Sequence, residues 1–149
     1  MKTFTRRLLL STLLLASAVA SIAETRTDPF VGKWVRNTEQ SKYSPGPGPQ
    51  SQIVTITTDE VVIEGVNPAG KPLKWSYKKS EAADPVEGAD GTVSSKTSGN
   101  TVDHVWKIAG GNTRGHGVIS KDGKTMTYKQ DGKDGQGHTI HNVIIFDKP

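Results

Sequence analysis

Residues 101–130 read TVDHVWKIAGGNTRGHGVISKDGKTMTYKQ, and their hydrophobic pattern repeats every two residues rather than every 3.6. Val102, His104, Trp106 and Ile108 share one face of an extended segment, and Thr101, Asp103, Val105 and Lys107 share the other. Gly110-Gly111 and Lys121-Asp122-Gly123 interrupt the alternation with residues that tolerate the positive φ of tight hairpins. The stretch therefore predicts three strands, at 101–108, 113–120 and 124–130. Short turns force neighbouring strands to pair antiparallel.

The same grammar extends in both directions. Runs rich in Val, Ile, Thr and aromatics predict further strands at 32–37, 51–58, 60–66, 71–79, 92–98 and 138–147. Asn67-Pro68-Ala69-Gly70, Ser98-Gly99-Asn100 and Asp134-Gly135 supply turns between them. Beyond a short capped turn at Asp28-Pro29-Phe30, no segment has helical periodicity. A meander of this length exposes two unpaired edges unless it closes on itself. The expected fold class is all-β, an antiparallel up-and-down β-barrel of eight or nine strands. Two connections are longer: 38–50, whose Ser44-Pro45-Gly46-Pro47-Gly48-Pro49 is too proline-rich for a strand interior, and the acidic 80–91. The first is expected to be a stiff surface loop, either a rim or lid or a spacer without a role, and the second a loose one.

The chain opens with Lys2, Arg6 and Arg7, an apolar run from Leu8 to Ala20, and small residues at Ser21 and Ala23 before Glu24. That is the layout of a cleavable secretory signal peptide, residues 1–23; the run is too short and too interrupted by Ser and Thr to read as a spanning helix. The expected domain is then 24–149, exported to the periplasm or beyond and not membrane-spanning. The formal charge of +4 comes from 19 basic and 15 acidic residues. Three of the basic ones lie in the leader, so the remainder is nearly neutral, which excludes nucleic acid as a partner class. The chain has no cysteine, so an exported domain must rely on core burial without disulfides, and 126 residues after cleavage suffice for one core. A monomer is expected.

Phe30-Val31-Gly32-Lys33-Trp34, then Ser41-Lys42-Tyr43-Ser44-Pro45-Gly46-Pro47, then Ser120-Lys121-Asp122-Gly123-Lys124-Thr125-Met126-Thr127 together resemble small secreted bacterial lipocalin-like proteins of unassigned activity. The Gly-x-Trp opening is similar to that of the wider calycin superfamily. The resemblance implies a barrel with Trp34 at its closed end and a cavity opening at the other. Two departures limit it. The helical lid of fatty-acid-binding proteins is replaced by the proline-rich connection. Their Arg-x-Tyr on the last strand is also missing, where this chain has Asn142-Val143-Ile144-Ile145-Phe146. No fatty-acid site is carried over.

Alternation places Trp75 and Tyr77 on one face, opposite Lys74, Ser76 and Lys78, and places His104 beside Trp106. Trp75, Tyr77, His104 and Trp106 are the candidate ligand-binding residues. They suit either a small-molecule cavity, which is apolar with a few placed polar groups, or a plain filled core. His104 reads as a ligand-orienting donor or as a buried neutral imidazole with a single partner. No metal or other cofactor is expected. His138 and His141 are three apart, which sends them to opposite faces of a strand, and a strict two-residue turn does the same to His104 and His116. No nucleophile elbow, phosphate loop or dinucleotide fingerprint is present in the sequence.

Three functions are compatible with these features: binding a small apolar or amphipathic molecule in the barrel, docking a protein partner through the loops, or a small barrel enzyme with His104 or His116 as base. The first requires a cavity of at least about 300 Å³. The leader assignment is checked by N-terminal sequencing of the exported protein, which is expected to begin at Glu24; a mature chain still carrying Leu8 to Ala20 refutes it.

Overall fold

The computed structural model describes residues 26–149, so the leader and its cleavage position lie outside the described residues. Ten strands follow in order: β1 Gly32–Arg36, β2 Ser51–Ile56, β3 Glu60–Val66, β4 Pro72–Lys78, β5 Asp84–Pro85, β6 Gly91–Ser98, β7 Thr101–Ile108, β8 Asn112–Ile119, β9 Thr125–Lys133 and β10 Thr139–Asp147. All pairings are antiparallel, in the sheet order β4-β3-β2-β1-β10-β9-β8-β7-β6-β5. The curled sheet meets itself where Ser76, on β4, exchanges two backbone hydrogen bonds (3.0 and 2.8 Å) with Glu87, just after β5. The result is a nearly closed up-and-down barrel.

Ten strands stand where eight or nine are expected. The additional one, β5, lies in the acidic connection that reads as loose. Its two residues carry little strand character, but Val86 beside them is buried in the core and anchors the segment. Proline is tolerated there because the strand is at an edge. The β7–β8 turn also falls one residue earlier than Gly110-Gly111. Ala109 (φ 48°) and Gly110 (φ 80°) occupy its two central positions, and Gly111 N–H donates to Ile108 O at 2.8 Å. Two positive φ values make the primed hairpin turn whose twist matches the strands.

The 38–50 connection forms part of the wall. β1 shares only two register pairs with β10, Val35–Asp147 and Arg36–Phe146. Upstream on β10 the connection takes over, through a Lys42–Val143 bridge, His141 N–H to Ser44 O (2.8 Å) and Ser44 N–H to the Asn142 side-chain oxygen (3.0 Å). Within it the Tyr43 ring lies against Gly48, where any Cβ would collide with the ring, and the Arg36 guanidinium donates to Pro49 O. Glycine is needed at 48 for this close approach.

Inward residues fill one end densely. Trp34 is fully buried, and its indole N–H donates to Phe30 O at 2.8 Å, which holds Phe30 across the barrel floor. Phe30 N–H in turn donates to Asp28, whose carboxylate pairs with Lys79. Val54, Ile56, Val61, Ile119, Met126 and Phe146 complete this core. Truncating Trp34 removes the largest fully buried side chain and one anchor of the floor. Trp34→Ala is expected to lower unfolding free energy by about 3–5 kcal/mol in urea titration; a loss under about 1 kcal/mol would show that the floor is not the structural centre.

Candidate functional site

Above that floor the barrel is not full. A cavity of about 330 Å³ runs toward the open end, lined mainly by apolar side chains from Phe30 and Val54 to Ile140 and Ile144. Trp75, Tyr77, His104 and Trp106 all face it. Period two accounts for this: Trp75 and Tyr77 are alternate residues on β4, and His104 and Trp106 are alternate residues on β7. Curvature then brings the two strands' inner faces together. Tyr77 meets Trp106 edge-on, with ring centroids 5.2 Å apart and planes at 84°, and the His104 ring lies 5.4 Å from that of Trp106. Trp75 lines the cavity outside this cluster's hydrogen bonds.

The sequence reading missed the residue at the junction of the cluster, Tyr128. Its hydroxyl accepts from the Trp106 indole N–H (2.8 Å) and lies 3.1 Å from His104 Nδ1. The other imidazole nitrogen, Nε2, lies 3.3 Å from the Tyr77 hydroxyl. Both nitrogens of His104 are therefore engaged by tyrosines. The space for Tyr128 is made on β8, where Gly115 and Gly117 occupy inward positions. A Cβ at Gly115 would overlap the Tyr128 hydroxyl, and one at Gly117 would press on Val102 and the Tyr128 ring. Two alternating inward glycines beside the Met126, Tyr128, Gln130 face were the available signal.

Burial governs the electrostatics. Desolvation lowers the His104 pKa from 6.5 to about 4, opposed only by the Asp103 charge on the outer face. Desolvation also raises both Tyr77 and Tyr128, the latter against the stabilising indole hydrogen bond. At neutral pH the cluster is uncharged. Nearer the open end a second chain is internally satisfied: Gln130 donates to Thr113 (3.0 Å), Asn142 donates to Gln130 (3.2 Å), and Asn142 accepts from Ser44 N–H. Gln52, also lining the cavity, has a buried side-chain oxygen with no hydrogen-bond partner among the described residues.

The remaining histidines lie outside. His104 is opposite Gly115 and His116 opposite Asp103, so the hairpin puts His104 inside and His116 outside. His116, His138 and His141 each contact an aspartate: Asp103 (2.7 Å), Asp134 (3.0 Å) and Asp131. Among the described residues no group of three or more His, Cys, Asp or Glu is placed to hold a metal ion.

No protein-family model matches the chain, and neither does any curated protein. Among solved structures it is similar to the fluorescent protein UnaG, with a TM-score of 0.50 and 14% identity over 80% of this chain and 97% of that one. A point variant of UnaG gives a TM-score of 0.52 and 16% identity, over 80% and 96% of the two chains. At such identity the likeness shows the fold alone, an antiparallel β-barrel.

The low His104 pKa has a consequence for stability. The unfolded chain takes up a proton below pH 6.5, whereas the native imidazole stays neutral to about pH 4, so this group's contribution falls as pH drops through that window and then levels. The loss is on the order of 3 kcal/mol. Urea titrations of wild type and His104→Gln at pH 7 and pH 4.5 check it: the wild type should lose more stability between the two. Parallel losses would mean that His104 titrates normally.

Proposed function

We propose that this protein is an exported binding protein that holds a small, mostly apolar molecule inside its barrel. The observation that carries the reading is the 330 Å³ cavity, just within the about 300–1,000 Å³ typical of ligand sites and lined as such sites are. A tightly filled barrel of this size would have repacked around the space, because each unfilled void forfeits dispersion contacts. An apolar wall with a compact, uncharged polar cluster suits a small neutral molecule. Trp75, Tyr77, His104 and Trp106, with Tyr128, are its proposed contacts. The barrel fold supports this reading, since calycin-type barrels commonly enclose small hydrophobic ligands.

The leader pattern at 1–23 supports export to the periplasm or beyond, and the lipocalin-like motifs suit a small secreted bacterial protein. Native mass spectrometry of protein purified from the exported fraction of its own host tests the binding reading. The expected spectrum shows the polypeptide plus a discrete additional mass that is lost on collisional activation. A bare polypeptide mass, combined with no uptake of any apolar fluorescent probe, would sink the proposal.

A further inference from the structure

Hydrogen bookkeeping in the aromatic cluster extends that reading to the chemistry of the ligand. Trp106, Tyr128, Tyr77 and neutral His104 bring one donor hydrogen each, four in all, and share three hydrogen bonds. One donor hydrogen is left over whichever imidazole nitrogen is protonated. Tyr77 is buried, and among the described residues its hydroxyl has no hydrogen-bond partner other than His104. Leaving a buried donor unsatisfied is unfavourable.

The direction of donation identifies which hydrogen is left. Indole N–H can only donate, so the first bond runs from Trp106 to Tyr128. If His104 carries its proton on Nε2, each group accepts one bond and donates the next, from Tyr128 to His104 to Tyr77. Hydrogen bonds aligned head to tail polarise and strengthen one another. With the proton on Nδ1 instead, Tyr128 accepts from both sides and the alignment is lost. The aligned chain ends on the Tyr77 O–H, on the wall of the cavity.

We propose that the Tyr77 hydroxyl is the terminal donor of a one-way chain from Trp106 and gives its hydrogen to a carbonyl-type oxygen of a neutral ligand in the barrel. A carboxylate fits poorly at Tyr77, because no lysine or arginine hydrogen-bonds the cluster among the described residues; of the two lysines that line the cavity, Lys79 is paired with Asp28 and Lys133 is exposed at the end of β9. The proposal rests on the cavity being a binding site, and its test separates the two.

Acetophenone and α-methylstyrene have the same shape and differ in C=O against C=CH₂. Their affinities are measured by headspace partitioning for wild type and for Tyr77→Phe, which keeps the ring and its packing; unchanged far-ultraviolet circular dichroism and a cooperative urea transition confirm the fold. The substitution is expected to weaken acetophenone about three- to tenfold, the worth of one neutral hydrogen bond, and to leave α-methylstyrene within about twofold. Equal effects on both compounds, or none on either, overturn the proposal while leaving the cavity a binding site. Failure of wild type to bind either compound overturns both. Imidazole nitrogen chemical shifts of the wild type give a readout that needs no variant: they are expected to show a protonated Nε2 and a bare Nδ1, and the opposite tautomer overturns the chain direction.

Discussion

A meander of antiparallel strands becomes a container only where its outer strands find hydrogen-bond partners, and here two narrow joints do this. One is the β1–β10 seam, with two register pairs reinforced by Asn37, which donates from its backbone N–H to Ile145 O (2.8 Å) and from its side chain to Asp147 (2.9 Å). The other is the Ser76–Glu87 bridge. Without cysteines no covalent link reinforces either joint. The 38–50 connection matters for this reason: it continues the seam beyond the end of β1, occupying β10 backbone groups that would otherwise be an open edge.

Closure sets the interior, and the interior sets the chemistry. The floor around Trp34 and Phe30 is packed, while the upper barrel holds the cavity, and on its wall β8 places glycines at inward positions 115 and 117. Those glycines admit Tyr128, and Tyr128 links Trp106 to His104. An isolated imidazole in such a place would leave two polar nitrogens without water. Two tyrosines satisfy both nitrogens without introducing charge, so the cluster stays polar, neutral and ordered in an apolar cavity. Among the described residues the hydrogen-bond partners of the imidazole are these two tyrosines and no carboxylate.

Much of this is legible residue by residue. The inward orientation of Trp75, Tyr77, His104 and Trp106 follows from alternation, and the separation of His104 from His116 follows from turn length. β5 escaped because two residues, Asp84 and Pro85, carry no pattern, and only Val86 betrays the anchor. The one-residue shift of the β7–β8 turn escaped because Ala109 takes a positive φ that composition assigns to its glycine neighbours. Tyr128 escaped although it sits on a predicted strand, since its meaning depends on two glycines of another strand.

The sequence alone determined which residues extend, which face inward and where the chain reverses, because strand periodicity and turn preference act over a few neighbouring residues. Only the tertiary structure decided that Tyr77, His104, Trp106 and Tyr128 meet, that the proline-rich connection seals the wall, and that about 330 Å³ stays open. Tyr77 and His104 are 27 residues apart, and His104 and Tyr128 are 24. Distances across a barrel depend on the twist, stagger and number of all its strands together, a global closure condition that no local pattern encodes.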